Sequence, residues 1–429
     1  MKAERWIVQS LDLNQVLPEL SAPEDAAGRY LQIWRKSLPL GQLWLPREIL
    51  PLRPAELARE AARAVAPAVG DRLFDHGFRA PLPVRGENPA RDRTADYASL
   101  ANLQKPLLQL DGISTRSPLP EATVSVIVCT RGRPEDLRKC LASLVQLDPP
   151  ATEILVVDND PADVRTRAVA AEFPGVIGLA EARPGLSRAR NTGIRQARGD
   201  ILAWTDDDTI AHPEWIGAVR AVFSDPAISA MTGLVLAGSL ETHSQVHFER
   251  DFGGFNRGFR PLTFDVRFFS EMKDLGLPVW RAGAGANMAF RRDVFGKLGG
   301  FDERLGAGAA GCSEDSEYWY RMLNAGLNIR YDPRAVVWHF HRSDHESFRG
   351  QMEEYMCGHV AALLFQYEKF RHVGNLRRLF LSLPRYYWGM LTGKLQGGER
   401  GTLGREIRGC LRGILHYLTT RNQPASSDH

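Results

Sequence analysis

Between residues 123 and 223 the chain alternates apolar runs of strand length with amphipathic segments of helix length. The runs TVSVIVCT (123–130), TEILVVDND (152–160) and DILAWT (200–205) are rich in apolar and β-branched residues, as expected of strands buried on both faces of a parallel sheet. Helical patterns lie between them, for example after Pro134, where leucines recur at three- and four-residue spacing. This alternation predicts an α/β fold, with a mostly parallel sheet whose strands are joined by helical crossovers.

The pattern divides the chain into three parts. Residues 1–115 form an N-terminal accessory region to which the sequence assigns no role, residues 116–345 form the central α/β domain, and residues 346–429 form a helical C-terminal tail. Within the first part, the alanine-rich segment 54–69 predicts a helix. Residues 81–121 are rich in Pro, Arg, Asp and Gly without a sustained period, which predicts a linker or irregular cover.

Composition excludes several classes of function. The 54 basic and 51 acidic residues nearly balance, at a net charge of +3, so charge gives no argument for nucleic-acid binding. The five cysteines are odd in number and include no CxxC pair, so neither a disulfide framework nor a zinc cluster is expected. The N-terminus lacks the apolar core of a signal peptide, and no apolar run reaches the ~18–20 residues that span a bilayer. We therefore expect a cytoplasmic protein whose membrane contact, if any, is peripheral.

Polar residues follow three of the predicted strands where those strands end. They are 130–133 (TRGR), 158–160 (DND) and 206–208 (DDD). In sheets of this kind, ligands bind beyond the carboxyl ends of the strands. The coincidence places a candidate site at this edge of the sheet.

The three consecutive aspartates are the sharpest of these signals. Two carboxylates ~4 Å apart near a protein surface repel by ~4 kcal/mol, and a divalent cation relieves that repulsion. Alternate residues of an extended segment point the same way, so Asp206 and Asp208 face one site while Asp207 faces the ribose or a neighbouring turn. Carboxylates that act together with substrate phosphates suit Mg²⁺ or Mn²⁺. The alternative is a solvated acidic turn that caps the helix beginning near Pro213.

At this point the chain resembles the family 2 glycosyltransferases over about residues 122–345. The resemblance implies a GT-A fold for the central domain and an enzyme that transfers a sugar from a nucleotide diphosphate to an acceptor hydroxyl. The matching segments occur in the family's order: SVIVCTRGRPEDLRKCLASL, ILVVDNDPAD, GLSRARNTGIRQARGDILAWTDDD, GAGANMAFRR, GGFDERLG and SEDSEYWYRMLNAG.

The resemblance implies a donor-nucleotide site. Its residues would be Thr130, Arg133, Asp158, Arg190, Asn191, Asp206 and Asp207, with Asp206 and Asp208 as the DxD metal ligands. Family members often carry a second acid where this chain has Asn159, which leaves UDP-, GDP- and dTDP-sugars all open as donors. The structural alternative for Thr130 and Asp158 is that they satisfy turn backbones.

A second acidic pair, Glu314 and Asp315, precedes the helical segment YWYRMLN. Locally, the pair is compatible with a plain helix start, where acids are favoured by the helix dipole. The resemblance instead matches it to the ED motif. It implies that Asp315 is the catalytic base of an inverting reaction, and that Glu314 positions the acceptor or holds Asp315.

Two histidines, His339 and His341, share one face of a predicted strand. No cysteine or third histidine is spaced to close a zinc site with them. The resemblance implies that one histidine lies near the diphosphate or metal, with His339 the better positional match and His341 the second. The alternative is a pair of packed or hydrogen-bonded histidines.

The segment RAGAGANMAF (281–290) is rich in small residues, which let a ligand approach the backbone. The resemblance implies that this loop lines the donor sugar and the acceptor. The candidate residues are Trp280, Gly283, Gly285 and Asn287. For Trp280, core packing is the alternative to stacking on a sugar ring.

The C-terminal tail combines arginines with aromatic and aliphatic residues, in NLRRLFLSLPRYYWGMLTGK and REIRGCLRGILHYLTTR. Such helices either lie on an anionic membrane surface or pack on the catalytic domain. Processive synthases of the resembling family carry a QxxRW motif and membrane-spanning helices. The sequence contains neither, which disfavours polymer extrusion.

The sequence thus predicts an inverting, Mg²⁺- or Mn²⁺-dependent glycosyltransferase that acts on a glycan or lipid-linked acceptor, and it does not define the oligomeric state. A sugar-1-phosphate nucleotidyltransferase is one alternative, but it needs a glycine-rich loop after the first strand, and CTRGRP contains one glycine. A catalytically inactive sugar-nucleotide-binding module is another. Loss of one carboxylate motif would be its mark, and both motifs are present.

Overall fold

The computed structural model describes residues 5–73, 104–113, 122–392 and 402–426. Its N-terminal part is a three-stranded sheet with a long helix. Strand β1 (Trp6–Asp12) is parallel to β2 (Gly28–Arg35), which is antiparallel to β3 (Leu38–Pro46). Helix α1 (Pro54–Leu73) follows a short 3₁₀ turn (Arg47–Ile49) and shares an apolar core with the strands.

Helix α2 (Gln104–Ile113) corrects the sequence prediction for part of residues 81–121. Leu107 and Leu110, three residues apart, are buried in the same core as α1, and this contact stabilises a helix that the local composition did not indicate. The rest of the predicted linker, 81–103 and 114–121, lies outside the described residues.

The central domain is built on a nine-stranded mixed sheet. Its strands are β4 (Val124–Thr130), β5 (Glu153–Asp158), β6 (Val176–Ala180), β7 (Ile201–Asp206), β8 (Thr209–Ala211), β9 (Ile228–Ala237), β10 (Leu262–Phe264), β11 (Asn287–Arg291) and β12 (Asn328–His339). The strand order is β10-β12-β9-β11-β7-β4-β5-β6, and β8 pairs with β12. The neighbours β7-β4-β5-β6 are parallel, as are β9 and β12, whereas β11 runs antiparallel to both of its neighbours.

Helices cover both faces of this sheet. They are α3 (Pro134–Leu144), α4 (Val164–Ala171), α5 (Leu186–Gln196), α6 (Trp215–Phe223), α7 (His243–Val246), α8 (Val266–Met272), α9 (Asp293–Leu298) and α10 (Glu314–Asn324), with a 3₁₀ turn at Val279–Ala282 and a π-helical turn at His247–Asp251. Leucines of α3 and Trp215 of α6 pack with one face of the sheet, and Tyr318 and Trp319 of α10 pack with the other. The predicted α/β fold is confirmed, with antiparallel strands added beside the parallel core.

The register of the parallel strands aligns the predicted polar clusters. Thr130 at the end of β4 pairs with Asp158 at the end of β5, and Cys129 pairs with Asp206 at the end of β7. The polar residues that follow these strands therefore emerge at a common edge of the sheet.

The C-terminal part is helical. It comprises α11 (His345–Phe370), α12 (Val373–Arg377), a π-helical turn (Arg378–Ser382), α13 (Leu383–Leu391) and α14 (Leu403–Thr420). The Asp344 side chain caps α11 by accepting a hydrogen bond from the backbone N–H of Ser347 at 2.7 Å. Helix α14 packs along α11. In the part of the chain that the structure describes, no helix combines the length and the apolar character needed to cross a bilayer.

Candidate active site

Two aspartates and a histidine meet at the carboxyl edge of the sheet. Asp206 ends β7, Asp208 lies in the turn into β8, and His339 ends β12. Because β8 pairs with β12 through Thr209 and His339, the turn that carries Asp208 is held beside the histidine. One potential ligand atom from each of the three side chains lies within 4.8 Å of the others. Two carboxylates and an imidazole at this spacing form a candidate site for a divalent cation.

The charge of Asp208 is held in place by two neighbours. Arg133 Nη1 donates to Asp208 Oδ2 at 2.9 Å, and His339 Nε2 lies 3.2 Å from Asp208 Oδ1. Burial raises the pKa of Asp208, but His339 and Arg133 outweigh burial and hold this pKa well below its usual range. Oδ1 and Nε2 are close without the alignment of a hydrogen bond, so among the described residues this buried oxygen accepts none. A buried, ionised carboxylate oxygen without a hydrogen bond is suited to binding a cation.

Asp207 points away from its two neighbours and into the protein. Its Oδ2 accepts a hydrogen bond from Thr130 Oγ1 at 2.7 Å, and its Oδ1 accepts one from Arg133 Nη1 at 3.1 Å. Burial raises the pKa of Asp207 to about 7, although Arg133 and Thr130 oppose the shift. Thr130, Arg133 and Asp207, each predicted to contact the donor nucleotide, thus form one hydrogen-bonded group beside Asp208.

A relay of hydrogen bonds runs from the candidate metal site into the protein. His339 Nδ1 and His341 Nδ1 are 2.9 Å apart, and His341 Nε2 lies 3.2 Å from Glu249 Oε2. A carboxylate accepts, so His341 Nε2 donates to Glu249, His341 Nδ1 accepts, and His339 Nδ1 donates. His339 Nε2 is then the nitrogen that faces Asp208. Glu249 lies in the π-helical turn and was not identified from the sequence.

The second acidic pair begins α10, as its position before an apolar helical stripe predicted. Ser313 precedes it in the left-handed conformation, at φ 71°. Glu314 is buried, and Arg190 Nη1 donates to its Oε1 at 2.6 Å. Burial raises the pKa of Glu314 to about 7, against the opposing charge of Arg190. Glu314 thus serves a buried ion pair.

The carboxylate of Asp315 is oriented by backbone donors. Its Oδ2 accepts from the N–H of Gly285 at 2.9 Å, and its Oδ1 accepts from the N–H of Ser316 at 2.6 Å. A Cβ on residue 285 would lie 2.7 Å from a guanidinium nitrogen of Arg190, so glycine allows this close approach. The small-residue loop predicted to line the sugar site is therefore joined directly to the predicted base.

Arg190 connects the two carboxylate groups. It is buried in α5, bonded to Glu314 as described, and its Nη2 lies 3.9 Å from Asp206 Oδ1. The ring of Phe301 lies beneath the guanidinium, with its centroid 5.4 Å away. Arg190, which the resemblance assigned to the donor, thus bridges two acids separated by 108 residues of sequence, Asp206 and Glu314.

Two asparagines that were predicted to contact ligands are hydrogen-bonded inside the protein. The Asn191 side chain accepts from the N–H of Phe301 at 2.8 Å and donates to its carbonyl at 3.0 Å, which holds the turn after α9. Asn287 donates to the carbonyl groups of Leu234 and Ala335 and accepts from Trp215 Nε1 at 3.0 Å. Each amide is thus occupied inside the protein, and the contacts of Asn191 with the donor and of Asn287 with the acceptor stay predictions.

Trp280 and Gly283 also have packing roles. The Arg378 guanidinium lies 4.0 Å from the centre of the Trp280 ring, and His359 packs against the same ring edge-on. This position matches the core-packing alternative for Trp280. Gly283 has φ +143°, and a Cβ there would overlap Thr232, so the residue shapes the loop that carries Gly285.

In the turn after β5, the chain has Asn159 where family members often carry a second acid, and this asparagine binds the loop that precedes α5. Asp158 is buried, and its Oδ1 accepts from the N–H of Asp160 at 3.0 Å. Asn159 donates to the carbonyl groups of Glu181 and Arg183 and accepts from the N–H of Gly185 at 2.8 Å. An amide both donates and accepts, so asparagine at 159 fastens the loop before α5 in a way that an acid would not.

A cavity of about 350 Å³ opens over the Asp206–Asp208 edge. Arg131, from the polar cluster 130–133, lines it as expected, and several other lining residues were not identified from the sequence: Phe255, Arg342, Gln351 and Tyr355. Tyr355 lies within α11 among apolar residues, and Arg342 directly follows the histidine segment. Hydrophobic spacing reports that a residue faces inward, but it does not distinguish a core from a cavity wall.

The fold and the site together define an α/β domain that collects two carboxylate groups at the carboxyl edge of its sheet. Residues 125–299 match the family model described as glycosyl transferase family 2. Over these residues the chain is similar to this family, as its motifs predicted.

The similarity to known proteins extends over only part of this chain. Glycosyltransferase AglE of Haloferax volcanii is 26% identical over 223 residues, which are 50% of this chain and 66% of AglE. Succinoglycan biosynthesis protein ExoM of Rhizobium meliloti is 28% identical over 227 residues, covering 50% of this chain and 65% of ExoM. The chain thus spans less than two thirds of these relatives.

A solved structure, the mannosyltransferase PcManGT from Pyrobaculum calidifontis in complex with GDP-Man and Mn²⁺, superimposes with a TM-score of 0.47 at 16% identity. The match covers 74% of this chain and 96% of that one. This resemblance is too loose to carry an argument about ligands.

Proposed function

We propose that the protein is an inverting glycosyltransferase that uses a divalent metal to move a sugar from a nucleotide diphosphate to an acceptor hydroxyl. The observation that carries this proposal is the convergence of two acidic groups on one buried arginine, Arg190. Sugar transfer needs one group at the leaving diphosphate and another at the attacking hydroxyl. The Asp206–Asp208 edge supplies the first, and Asp315 supplies the second.

Asp206, Asp208 and His339 would hold the metal. The spacing of their ligand atoms and the buried Asp208 oxygen without a hydrogen bond both suit a cation. Mg²⁺ and Mn²⁺ accept carboxylate oxygens, and the imidazole favours the transition metal, so we propose Mn²⁺. When bound, the ion would neutralise charge that develops on the departing diphosphate.

Asp315 would act as the base. As the acceptor oxygen forms its bond to the anomeric carbon, the bond from that carbon to the phosphate oxygen breaks, and its electron pair leaves with the diphosphate. The acceptor proton passes to the Asp315 carboxylate, which the N–H groups of Gly285 and Ser316 orient. A single displacement of this kind inverts the anomeric configuration.

Thr130, Arg133 and Asp158 would hold the nucleotide, and the exposed arginines Arg131 and Arg342 at the cavity would meet its phosphates. UDP-, GDP- and dTDP-sugars remain equal candidates. One similar protein is named a succinoglycan biosynthesis protein, and another is named a glucosyl-dolichyl phosphate glucuronosyltransferase. We therefore propose a glycan or lipid-linked acceptor, used at the cytoplasmic face of a membrane.

The test is a panel of nucleotide sugars incubated with the protein and Mn²⁺, read as released nucleoside diphosphate. Release from one donor, which a chelator abolishes, is expected. Formation of a nucleoside triphosphate and a sugar 1-phosphate when pyrophosphate is added to the same panel would instead identify a sugar-1-phosphate nucleotidyltransferase. Silence together with tight nucleotide binding would identify a binding module. NMR of the transferred sugar that showed a retained anomeric configuration would overturn the inverting mechanism.

A further inference from the structure

Apolar side chains are exposed in unusual density on the C-terminal helices. Nine of the nineteen large apolar residues recorded as exposed in the described chain lie between residues 373 and 418. On α14, they form one stripe at helical spacing: Ile407, Leu411, Leu415 and Leu418. On the π-helical turn and α13, Phe380 and Trp388 are 64% and 67% exposed. We call these six residues the outer apolar face.

The inner face of α14 is already occupied by the protein. Added Cβ atoms on Gly409 and Gly413 would overlap the backbone carbonyl groups of Glu353 and Cys357 on α11, so the two helices touch along this side. The exposed stripe lies on the opposite side of α14, since residues three and four apart share a helix face. Packing on the catalytic domain, one of the two alternatives from the sequence, therefore accounts for only one side of this helix.

The charge of this region is one-sided. Residues 371–392 and 402–426 contain eight arginines, two of which, Arg405 and Arg412, pair with Glu353 of α11, and one glutamate. That glutamate, Glu406, is buried and accepts a hydrogen bond from Thr402. Arg385 and Arg408 are exposed within the helices that carry the outer apolar face. Apolar side chains bordered by arginines complement the surface of an anionic bilayer.

We propose that the outer apolar face docks the protein on an anionic membrane surface, with α14 lying in the plane of the lipid headgroups. A second copy of the chain fits this face less well, because it would bring the same excess of arginines to the contact. An anionic lipid surface satisfies both the apolar stripe and the arginines.

The docking would place the cavity close to the membrane. Helix α11 contributes Gln351 and Tyr355 to the cavity wall, and its Glu353 pairs with Arg405 and Arg412 of α14. The cavity thus lies about one helix diameter, ~10 Å, from α14. This position suits an acceptor carried on a lipid, a consequence that rests on the proposed transferase function.

The experiment is sedimentation of the full chain with vesicles in the absence of any donor. We expect binding to phosphatidylcholine vesicles that contain phosphatidylglycerol, weak binding to phosphatidylcholine alone, and weakening as salt rises from about 0.1 M to about 0.5 M. The variant L411Q/L415Q/W388Q should lose about tenfold or more in partitioning. The matched control, V145Q/V164Q, changes exposed apolar residues at the end of α3 and the start of α4 and should bind as the wild type does.

Several results would overturn the proposal. One is equal binding to neutral and anionic vesicles, and another is unchanged binding of the triple variant. A dimer in analytical ultracentrifugation that the triple variant abolishes, without vesicle binding by the wild type, would assign the face to a second copy instead. Circular dichroism melting of both variants identifies any loss that comes from unfolding. Because no donor is present, vesicle binding combined with silence in the nucleotide-sugar panel would contradict the proposed function alone.

Discussion

The two acidic groups of the site differ in how their charge is compensated. The Asp206 and Asp208 side chains are 35% and 20% exposed at the cavity, and Asp208 keeps a buried oxygen without a hydrogen bond. Glu314 is only 7% exposed and is paired with the buried Arg190. The negative charge of the Asp206–Asp208 group therefore calls for a cation, whereas the charge of Glu314 is compensated by an arginine of the protein itself. Asp315, beside Glu314, is half-buried, and its carboxylate accepts a hydrogen bond from the backbone N–H of Gly285.

The substitution Asp315→Asn tests this division most strongly. It removes the proposed base and keeps the shape of the side chain, so we expect sugar transfer to fall by about 10²–10⁴-fold. Mn²⁺ affinity, measured by titration calorimetry, should stay at the wild-type value because Asp315 is not in the metal group. A parallel loss of Mn²⁺ affinity would show that the two groups are not separate.

The substitution Asp208→Asn should act on the metal instead. We expect Mn²⁺ affinity to fall by about 100-fold, because an amide replaces an anionic ligand. Asp207→Asn is the matched control: Asp207 is bonded to Thr130 and Arg133 and lies outside the metal group. Equal Mn²⁺ affinity of the two variants would contradict the assignment of ligands.

The hydrogen-bond relay extends the metal group inward and predicts a smaller effect. Glu249→Leu removes the acceptor that orients His341 and, through it, His339. We expect Mn²⁺ affinity to drop by about tenfold. Glu249→Gln keeps an acceptor and should retain more of the affinity. If the Leu and Gln variants bind Mn²⁺ as the wild type does, the relay does not position His339.

The smallest effect concerns the pH dependence of stability. Burial raises the pKa of Glu314 to about 7 from the usual 4.5. The folded protein therefore holds this proton more tightly than the unfolded chain does. The stability due to this group is complete below the unfolded pKa and is lost as pH rises through about 7. Melting curves in chelator between about pH 5 and about pH 8 should show a steeper decline for the wild type than for Glu314→Gln. Equal slopes would mean that Glu314 is already ionised at low pH.

Much of the central domain could be predicted from local patterns. The runs ending at Thr130, Asp158 and Asp206 form neighbouring parallel strands, and the acidic pair begins α10 as predicted. These predictions succeeded because strand and helix periodicity follow directly from which residues are buried. Helix α2 was missed, since its few apolar residues are buried by α1 and the N-terminal sheet, which the local composition does not reveal.

Polar partners were the least predictable part of the site. Asn191 and Asn287 were predicted to bind the donor and the acceptor, and nothing in the sequence indicated that their amides also bind backbone groups far along the chain. Glu249 was not identified, because its partner His341 is 92 residues away. A sequence shows that a side chain can donate or accept a hydrogen bond, but it does not show which group faces it.

The sequence by itself determined the α/β order of elements, the similarity to the glycosyltransferase family, and the two acidic motifs, because burial periodicity and short motifs are local properties of a chain. Tertiary structure alone decided that Arg190 stands between those motifs, that Asp208 keeps an oxygen free of hydrogen bonds, and that the apolar stripe of α14 faces outward. Each of these depends on strand register and helix packing, which bring groups together across about a hundred residues of sequence or leave them exposed.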